Sequence, residues 1–419
     1  MSTSLDRFQR VLQYFWDPEP KNTEPMNSIW LLGQEYPNVP VPSTHPSSAP
    51  ATPPDNSTPA GEPPNELSQS VLVSSYNIPS EDNWPIAFLE DFGSRIWMSY
   101  RTDFPAIPRS AQQTTLSFST RLRTQLSADQ SGFTSDVGWG CMIRTGQCLL
   151  ANSLQLLTLG RSWRRGTQEA WEKRILALFA DDPRSPFSIH RFVKHGEEAC
   201  GKNPGEWFGP SAAARCIQKL CEDYPHAGLK VYMNGDGSDV YEDAFRKVAI
   251  SNDGKFQPTL VLLGIRLGID RVTLVYWEAL KAILQMKQSV GIAGGRTGAS
   301  HYFVGVQGNY IFYLDPHQPR PFLPYQVDPT KYTAEHLDSC HTKRLRRLHL
   351  KEMDPSMLLG FLIKNEGDWQ AFRDGVAEVQ GKPVIHVGDL EPNPYGANKG
   401  EREEAVDEVE ALDDEDEMC

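Results

Sequence analysis

Apolar residues recur at helical spacing over 84–100 (Ile86, Phe88, Leu89, Phe92, Ile96, Trp97), which predicts an amphipathic helix. Residues 141–159 are apolar more densely and predict a buried one. Further helices are predicted at 167–179 and 210–221, with a short amphipathic one at 5–16. Apolar runs at 29–32, 259–265, 301–306 and 310–314 predict strands. Gln307-Gly308-Asn309 between the last two favours a hairpin. Helices first, then an antiparallel strand cluster, describe an α+β domain with one core.

Two stretches break the pattern. Residues 37–64 are rich in proline, and such a composition buries too little apolar surface to offset its ordering entropy. The insert 37–80 is therefore predicted to be disordered. Residues 109–131, rich in Ser, Thr and Gln, predict a polar surface loop. The predicted organisation is an N-terminal segment (1–27), a domain (28–385) carrying both inserts, and a solvated, disordered acidic tail (386–419).

Charge sharpens this picture. The formal net charge is −13, but residues 401–419 hold eleven acids and one arginine, leaving −3 for all the rest. The acid is a tail, and nothing points to a nucleic-acid partner. The seven cysteines (141, 148, 200, 216, 221, 340, 419) are odd in number and irregularly spaced. With no secretory signal at the start, they predict reduced thiols in the cytosol. No apolar run reaches the roughly 18 residues of a membrane span, Ser2 excludes N-myristoylation, and Cys419 is not in a prenylation box. A soluble protein with only peripheral membrane contact is expected.

Candidate chemistry begins at Gly138-Trp139-Gly140-Cys141. A cysteine opening a helix meets unpaired N–H groups and the positive end of the macrodipole, and Arg144 lies within one turn. That setting suits a nucleophilic thiolate; the bland alternative is a small buried hydrophobe. Asp315-Pro316-His317 follows the last predicted strand. Proline favours an extended backbone before it, so Asp315 and His317 can sit at i and i+2 on one side. A carboxylate there would orient an imidazole able to pair with a thiolate. An ordinary Asp-Pro turn fits the same residues.

Other clusters are weaker. Gly294-Gly295-Arg296-Thr297-Gly298 lacks the lysine and the helix of a phosphate loop. Cys216 with Cys221, and His336 with Cys340 and His341, are spaced too irregularly for zinc, and neither a metal nor a cofactor is expected. Lys343-Arg344-Leu345-Arg346-Arg347 reads as a solvated face or an anionic-lipid contact. Glu35-Tyr36-Pro37-Asn38-Val39 has the aromatic-x-x-aliphatic form of a short docking motif.

Several ordered segments resemble the autophagin family of autophagy-related cysteine proteases. They are Trp30-Leu31-Leu32-Gly33, the stretch 94–101 with Phe104-Pro105-Ala106-Ile107, 135–147, Gly205-Glu206-Trp207-Phe208-Gly209-Pro210, Gly294-Gly295-Arg296, His301-Tyr302-Phe303-Val304-Gly305, Tyr313-Leu314-Asp315-Pro316-His317, and Asp354-Pro355-Ser356-Met357 through Gly360-Phe361. The resemblance implies a papain-like fold with a small additional subdomain. It implies Cys141 as nucleophile, His317 as general base and acid, Asp315 as its orienting partner and Tyr100 as an oxyanion donor. Trp207 would cover the cleft, and Gly294, Gly295 and Arg296 would belong to a mobile gating loop over 294–300. The implied substrate is a ubiquitin-like autophagy modifier, as precursor and as phosphatidylethanolamine conjugate. A monomer in the cytoplasm and nucleus, recruited to autophagosome precursor membranes, is expected. The alternative of another class is a non-catalytic adaptor that binds the modifier, for which an intact Cys141, Asp315 and His317 set would be superfluous.

Overall fold

The computed structural model describes residues 18–37, 82–110, 132–235, 237–296 and 298–391. The predicted helix at 5–16, nearly all of both inserts and the predicted tail beyond 391 lie outside them; the start of that tail, His386–Gly388, is corrected to a strand paired in parallel with Asp239–Tyr241. A nine-stranded sheet organises the rest. Its strands are β1 (Ile29–Leu31), β2 (Gln34–Tyr36), β3 (Lys230–Met233), β4 (Thr259–Arg266), β5 (Ser289–Arg296), β6 (Ala299–Gln307), β7 (Tyr310–Leu314), β8 (Arg347–His349) and β9 (Ser356–Ile363). The order is β8-β7-β6-β5-β9-β4-β3, with β1 pairing both β2 and β6. Only the β3–β4 pair is parallel. Sheet strands thus come from both ends of the chain, which corrects the helices-first reading.

The helices are α1 (Ile86–Gly93), α2 (Cys141–Thr158), α3 (Glu169–Ala177), α4 (Ile189–Ala199), α5 (Pro210–Asp223), α6 (Glu242–Ala249), α7 (Trp277–Gln285) and α8 (Glu366–Ala377), with a single-turn helix at Ala334–Asp338. They cover both faces of the sheet. Leu358 and Leu362 of β9 enter the core shared with α1 to α5, while Met357, Leu359, Phe361 and Ile363 enter the core shared with α6 to α8. A strand buried on both faces is apolar at every position and shows no alternation. β4 was legible from such a run, whereas β9 and β5, with Gly360 and Gly291, Gly294 and Gly295 in them, were not. The predicted hairpin is present as β6 and β7, with Gly308 at φ +53° in its turn.

Helix α2 is the buried element that the apolar density predicted, with residues 141–156 all buried. It lies directly on the sheet: a Cβ at Gly360 would come within 3.1 Å of Leu149 and 2.7 Å of Val290. By contrast, the helix predicted over 84–100 stops at Gly93. The residues from Ile96 on leave the helix because their backbone bonds lie elsewhere. Ile96 N–H donates to Asn152 Oδ1 (3.0 Å), Trp97 N–H to the Cys340 carbonyl (2.8 Å), and Tyr100 N–H to the Pro316 carbonyl (2.8 Å). Those long-range partners outcompete helical bonds that spacing alone favoured.

Two surface readings are also corrected. Tyr36 is 8% exposed, ends β2, and donates through its hydroxyl to Asp91 Oδ2 (2.8 Å), so it is not available as a docking anchor. In the basic run, Leu345 and Arg346 are buried. Arg347 lies in β8, over the Tyr310 ring at 4.4 Å and the Trp84 ring at 5.3 Å. The run is no open cationic face.

Candidate active site

Cys141 is the first residue of α2, after the N-cap Gly140. A turn sets this start: the Asp136 carbonyl accepts from Trp139 N–H (3.1 Å) and Gly140 N–H (2.9 Å). Asp136 Oδ1 accepts from Arg101 N–H at 2.6 Å, which ties the turn to the segment carrying Tyr100. Only glycine fits at 140, since a Cβ there would sit 2.4 Å from Asp136 Oδ2. The N–H groups of the first helical turn have no acceptor within the helix and face the thiol end.

The Asp315-Pro316-His317 segment is a turn, not the extended pair expected. Asp315 Oδ1 accepts from His317 N–H at 3.0 Å and meets His317 Nδ1 at 2.6 Å. The Asp-Pro turn and the catalytic pairing are therefore one structure: the carboxylate that closes the turn is the one that holds the ring. With Nδ1 on Asp315, Nε2 is the nitrogen left for Cys141. Trp97 Nε1 donates to the Asp315 carbonyl (2.8 Å), while Tyr100 N–H donates to the Pro316 carbonyl and Arg320 N–H to the Tyr100 carbonyl (2.9 Å). These bonds stitch the turn to the chain beside α2.

The electrostatics follow from that packing. Burial pushes the Cys141 thiol up. The hydrogen bond and charge of His317, the Ser300 backbone N–H and the Tyr100 hydroxyl outweigh it, leaving the thiol below its ordinary value. Burial likewise draws His317 toward neutrality, but Asp315 and Cys141 push it up to about 10. Burial raises the Asp315 carboxyl, yet the hydrogen bond from His317 holds it well below the usual range. Burial, then the neighbouring Cys141 and Asp136, raises the Tyr100 phenol, so it stays a hydrogen-bond donor. The arrangement is a thiolate–imidazolium pair with an orienting carboxylate and a phenol O–H beside the sulfur. The Tyr100 and His317 rings meet edge-on at 5.3 Å.

Arg144 does not act on the thiol as its spacing suggested. It is buried between Asp136 (Nε to Oδ2, 2.8 Å) and Asp181 (2.7 Å), with Gln147 Oε1 at 3.0 Å. Two carboxylates more than neutralise its charge. It anchors the turn instead.

The structure brings Trp207 to the same place. It lies in the loop between α4 and α5, is 43% exposed, and donates through Nε1 to the Gly138 carbonyl at 2.9 Å. Gly205, at φ +85°, lets this loop lie on the Phe133 ring. Gly294 and Gly295, by contrast, are not in a loop. Both lie in β5, paired with His301 and Ser300 of β6. A Cβ at Gly295 would sit 1.9 Å from the Ala299 carbonyl oxygen, and one at Gly294 would sit 2.9 Å from Met357 Cβ. These glycines permit close strand packing; they do not make a long flap. Arg296 faces away to Glu352 (3.0 Å). The part of this hairpin that reaches the sulfur is the Ser300 backbone, which no side-chain pattern could reveal.

Cys141 is 0% exposed, with His317, the Ser300 backbone and Tyr100 against it. Substrate entry requires the cover to move. Ligand atoms of His301, Asp315 and His317 lie within 4.8 Å of one another. A cation there would have to replace the proton shared by Asp315 and His317.

A sequence profile of the peptidase C54 catalytic domain matches residues 85–375. The chain is 55% identical over 437 aligned residues to a "Probable cysteine protease atg4" of Botryotinia fuckeliana, covering 99% of this chain and 98% of that one. It is 52% identical to the protein of the same name from Aspergillus niger (97% of each) and 51% to that from Coccidioides immitis (97% and 98%). The α+β fold is papain-like, and the chain belongs to the peptidase C54 family as an autophagy-related cysteine protease, a thiol hydrolase.

Proposed function

We propose that the protein cleaves a ubiquitin-like autophagy modifier after a glycine near its C-terminus, and that it also hydrolyses the amide joining that glycine to phosphatidylethanolamine. The observation that carries this reading is the preformed Cys141–His317–Asp315 set, its thiol fully buried, with Trp207 held on the turn that precedes Cys141. Such a covered cleft suits a chain end without a side chain at the scissile residue. Ile269, Leu274 and Val275 are exposed on a loop that bonds through Val272 N–H to the Met353 carbonyl. Asp354 N–H continues the connection to the Gly295 carbonyl. An apolar surface next to the cleft hairpin suits a folded protein substrate better than a free peptide.

In this reading the Cys141 thiolate attacks the glycine carbonyl. The oxyanion forms against the Cys141 backbone N–H and the Tyr100 hydroxyl. His317 gives its proton to the departing amine, leaving a thioester on Cys141. His317 then takes a proton from water as that water attacks the thioester, releasing the glycine carboxylate and restoring the ion pair. Asp315 keeps the ring in one tautomer throughout.

Among the described residues no helix is long and apolar enough to cross a membrane, in keeping with peripheral attack on the lipid conjugate. We place the enzyme as a monomer in the cytoplasm and nucleus, recruited to autophagosome precursor membranes. The test is incubation with a modifier precursor and with its phosphatidylethanolamine conjugate, followed by mass measurement of the new C-terminus. A product ending in glycine from both supports the reading. Cleavage elsewhere, or binding without cleavage as an adaptor would show, overturns it.

A further inference from the structure

His301 has no part in the chemistry described so far, yet it stands behind the Asp315 carboxylate. It lies on β6, opposite Gly294 of β5, and is 5% exposed. Its ring packs edge-on against Tyr313 of β7 (4.5 Å between centroids, 75°) and 5.3 Å from the His317 ring. Its Nε2 is 3.9 Å from Asp315 Oδ1, the oxygen that receives both His317 contacts. That distance is too long for a hydrogen bond. It is too short to admit a water between them.

We propose that His301 is a positioning residue: a neutral ring that closes the far side of Asp315, excludes water from the Asp315–His317 hydrogen bond and holds the carboxylate on the imidazole. The proposal rests on Cys141 being the nucleophile. The groups that face His301 are Asp315 and His317 from the turn and Tyr313 from β7, with Cys141 of α2 beyond His317; Arg296 of β5, paired with Glu352, acts on it only at longer range. Burial lowers the His301 imidazole to about 3 despite the attraction of Asp315, and the charges of His317 and Arg296 act in the same direction as burial. An uncharged ring leaves Asp315 a single cationic partner. With water kept from the His301 side of Asp315, the Asp315–His317 bond is stronger than in full solvent. That bond raises the imidazolium, and the imidazolium lowers the thiol.

Removing the wall should therefore make the thiolate less available at neutral pH. We expect His301→Ala to lower kcat about tenfold with KM unchanged. The pH at which Cys141 becomes alkylated by iodoacetamide, followed on its own peptide by mass spectrometry, should rise by about one unit, the same factor of ten. His301→Phe, which restores an apolar ring against Tyr313, should return both toward wild type. Where the alanine variant does not fold, His301→Asn serves to let water in without emptying the site. A lowered unfolding temperature with an unmoved alkylation profile would mean a purely structural residue and overturn the proposal. Phe as damaging as Ala would also overturn it, because a ring nitrogen would then be needed. Should wild-type Cys141 alkylate no faster at pH 6–7 than the other thiols, the nucleophile assignment itself fails. A fast wild-type Cys141 with an unmoved alanine variant fells the His301 proposal alone.

Discussion

Two charged triplets meet at the start of α2, and they have opposite uses. In one, Arg144 lies between Asp136 and Asp181; in the other, His317 lies between Asp315 and Cys141. Both alternate anion, cation, anion. The difference is the proton. A guanidinium does not release one at any pH a protein meets, so the first triplet is a fixed anchor. An imidazole and a thiol can pass a proton between them, so the same geometry can become chemistry. The anchor is sealed, whereas the His317 side chain is 24% exposed, so the titratable ring is also the one that solvent and substrate reach.

The comparison is broken most severely at Cys141. Cys141→Ala should reduce cleavage by about 10³- to 10⁴-fold while the chain still unfolds in one cooperative transition, measured by turnover and calorimetry. The opposite pattern is expected at the anchor. Arg144→Met leaves two buried carboxylates without their cation and should cost about 3–5 kcal/mol in denaturant unfolding. If Arg144 served the thiol instead, the folded variant would show a shifted alkylation profile at Cys141; we expect none.

Tyr100→Phe removes one proposed oxyanion donor without emptying the site. A loss of about 10²-fold in kcat is expected, with an unchanged unfolding midpoint. Ordinary turnover in that variant would return Tyr100 to the rank of a core aromatic.

Acid–base linkage gives a subtler contrast. The His317 value is raised in the folded state, so its contribution to stability is fully present below the unfolded value of about 6.5. It is lost as pH rises through about 10. Asp315, held low, contributes above the unfolded carboxylate value and loses that contribution as pH falls. The stability gap between wild type and His317→Gln should therefore be widest near pH 6 and close toward pH 10. The Arg144 variant should show no such closing, and a gap flat across this window would contradict the charged pair. The smallest effect is expected far from the cleft: Tyr36→Phe deletes one hydroxyl from the Asp91 cluster at a cost of about 1 kcal/mol, with turnover unaltered.

Much of the site was legible because its residue types are chemically unusual together. A cysteine after Gly-Trp-Gly and an Asp-Pro-His each leave a local mark, and the family motifs join them. The helix that carries Cys141 was legible from apolar density. Gly294 and Gly295 misled, because a glycine needed for strand contact and a glycine needed for a loop look alike in sequence. Arg144 misled for a related reason: spacing reports nearness to Cys141 but says nothing of Asp181, which faces it from 37 residues away. The Ser300 N–H had no mark, being backbone, and His301 looked like any residue of a buried strand.

The sequence by itself determined the chemistry available: one cysteine at a helix start, one Asp-Pro-His segment, and a tryptophan in a glycine-rich loop. These follow from local rules of turns, caps and side-chain reactivity, which act over a few residues. Only the tertiary structure decided which charges meet. It set Asp181 against Arg144, laid Trp207 over Gly138, turned Tyr36 inward to Asp91, and closed Asp315 between His317 and His301. Those pairings depend on long-range packing, and in a dry interior the identity of the nearest partner fixes whether a buried charge is an anchor or a reagent.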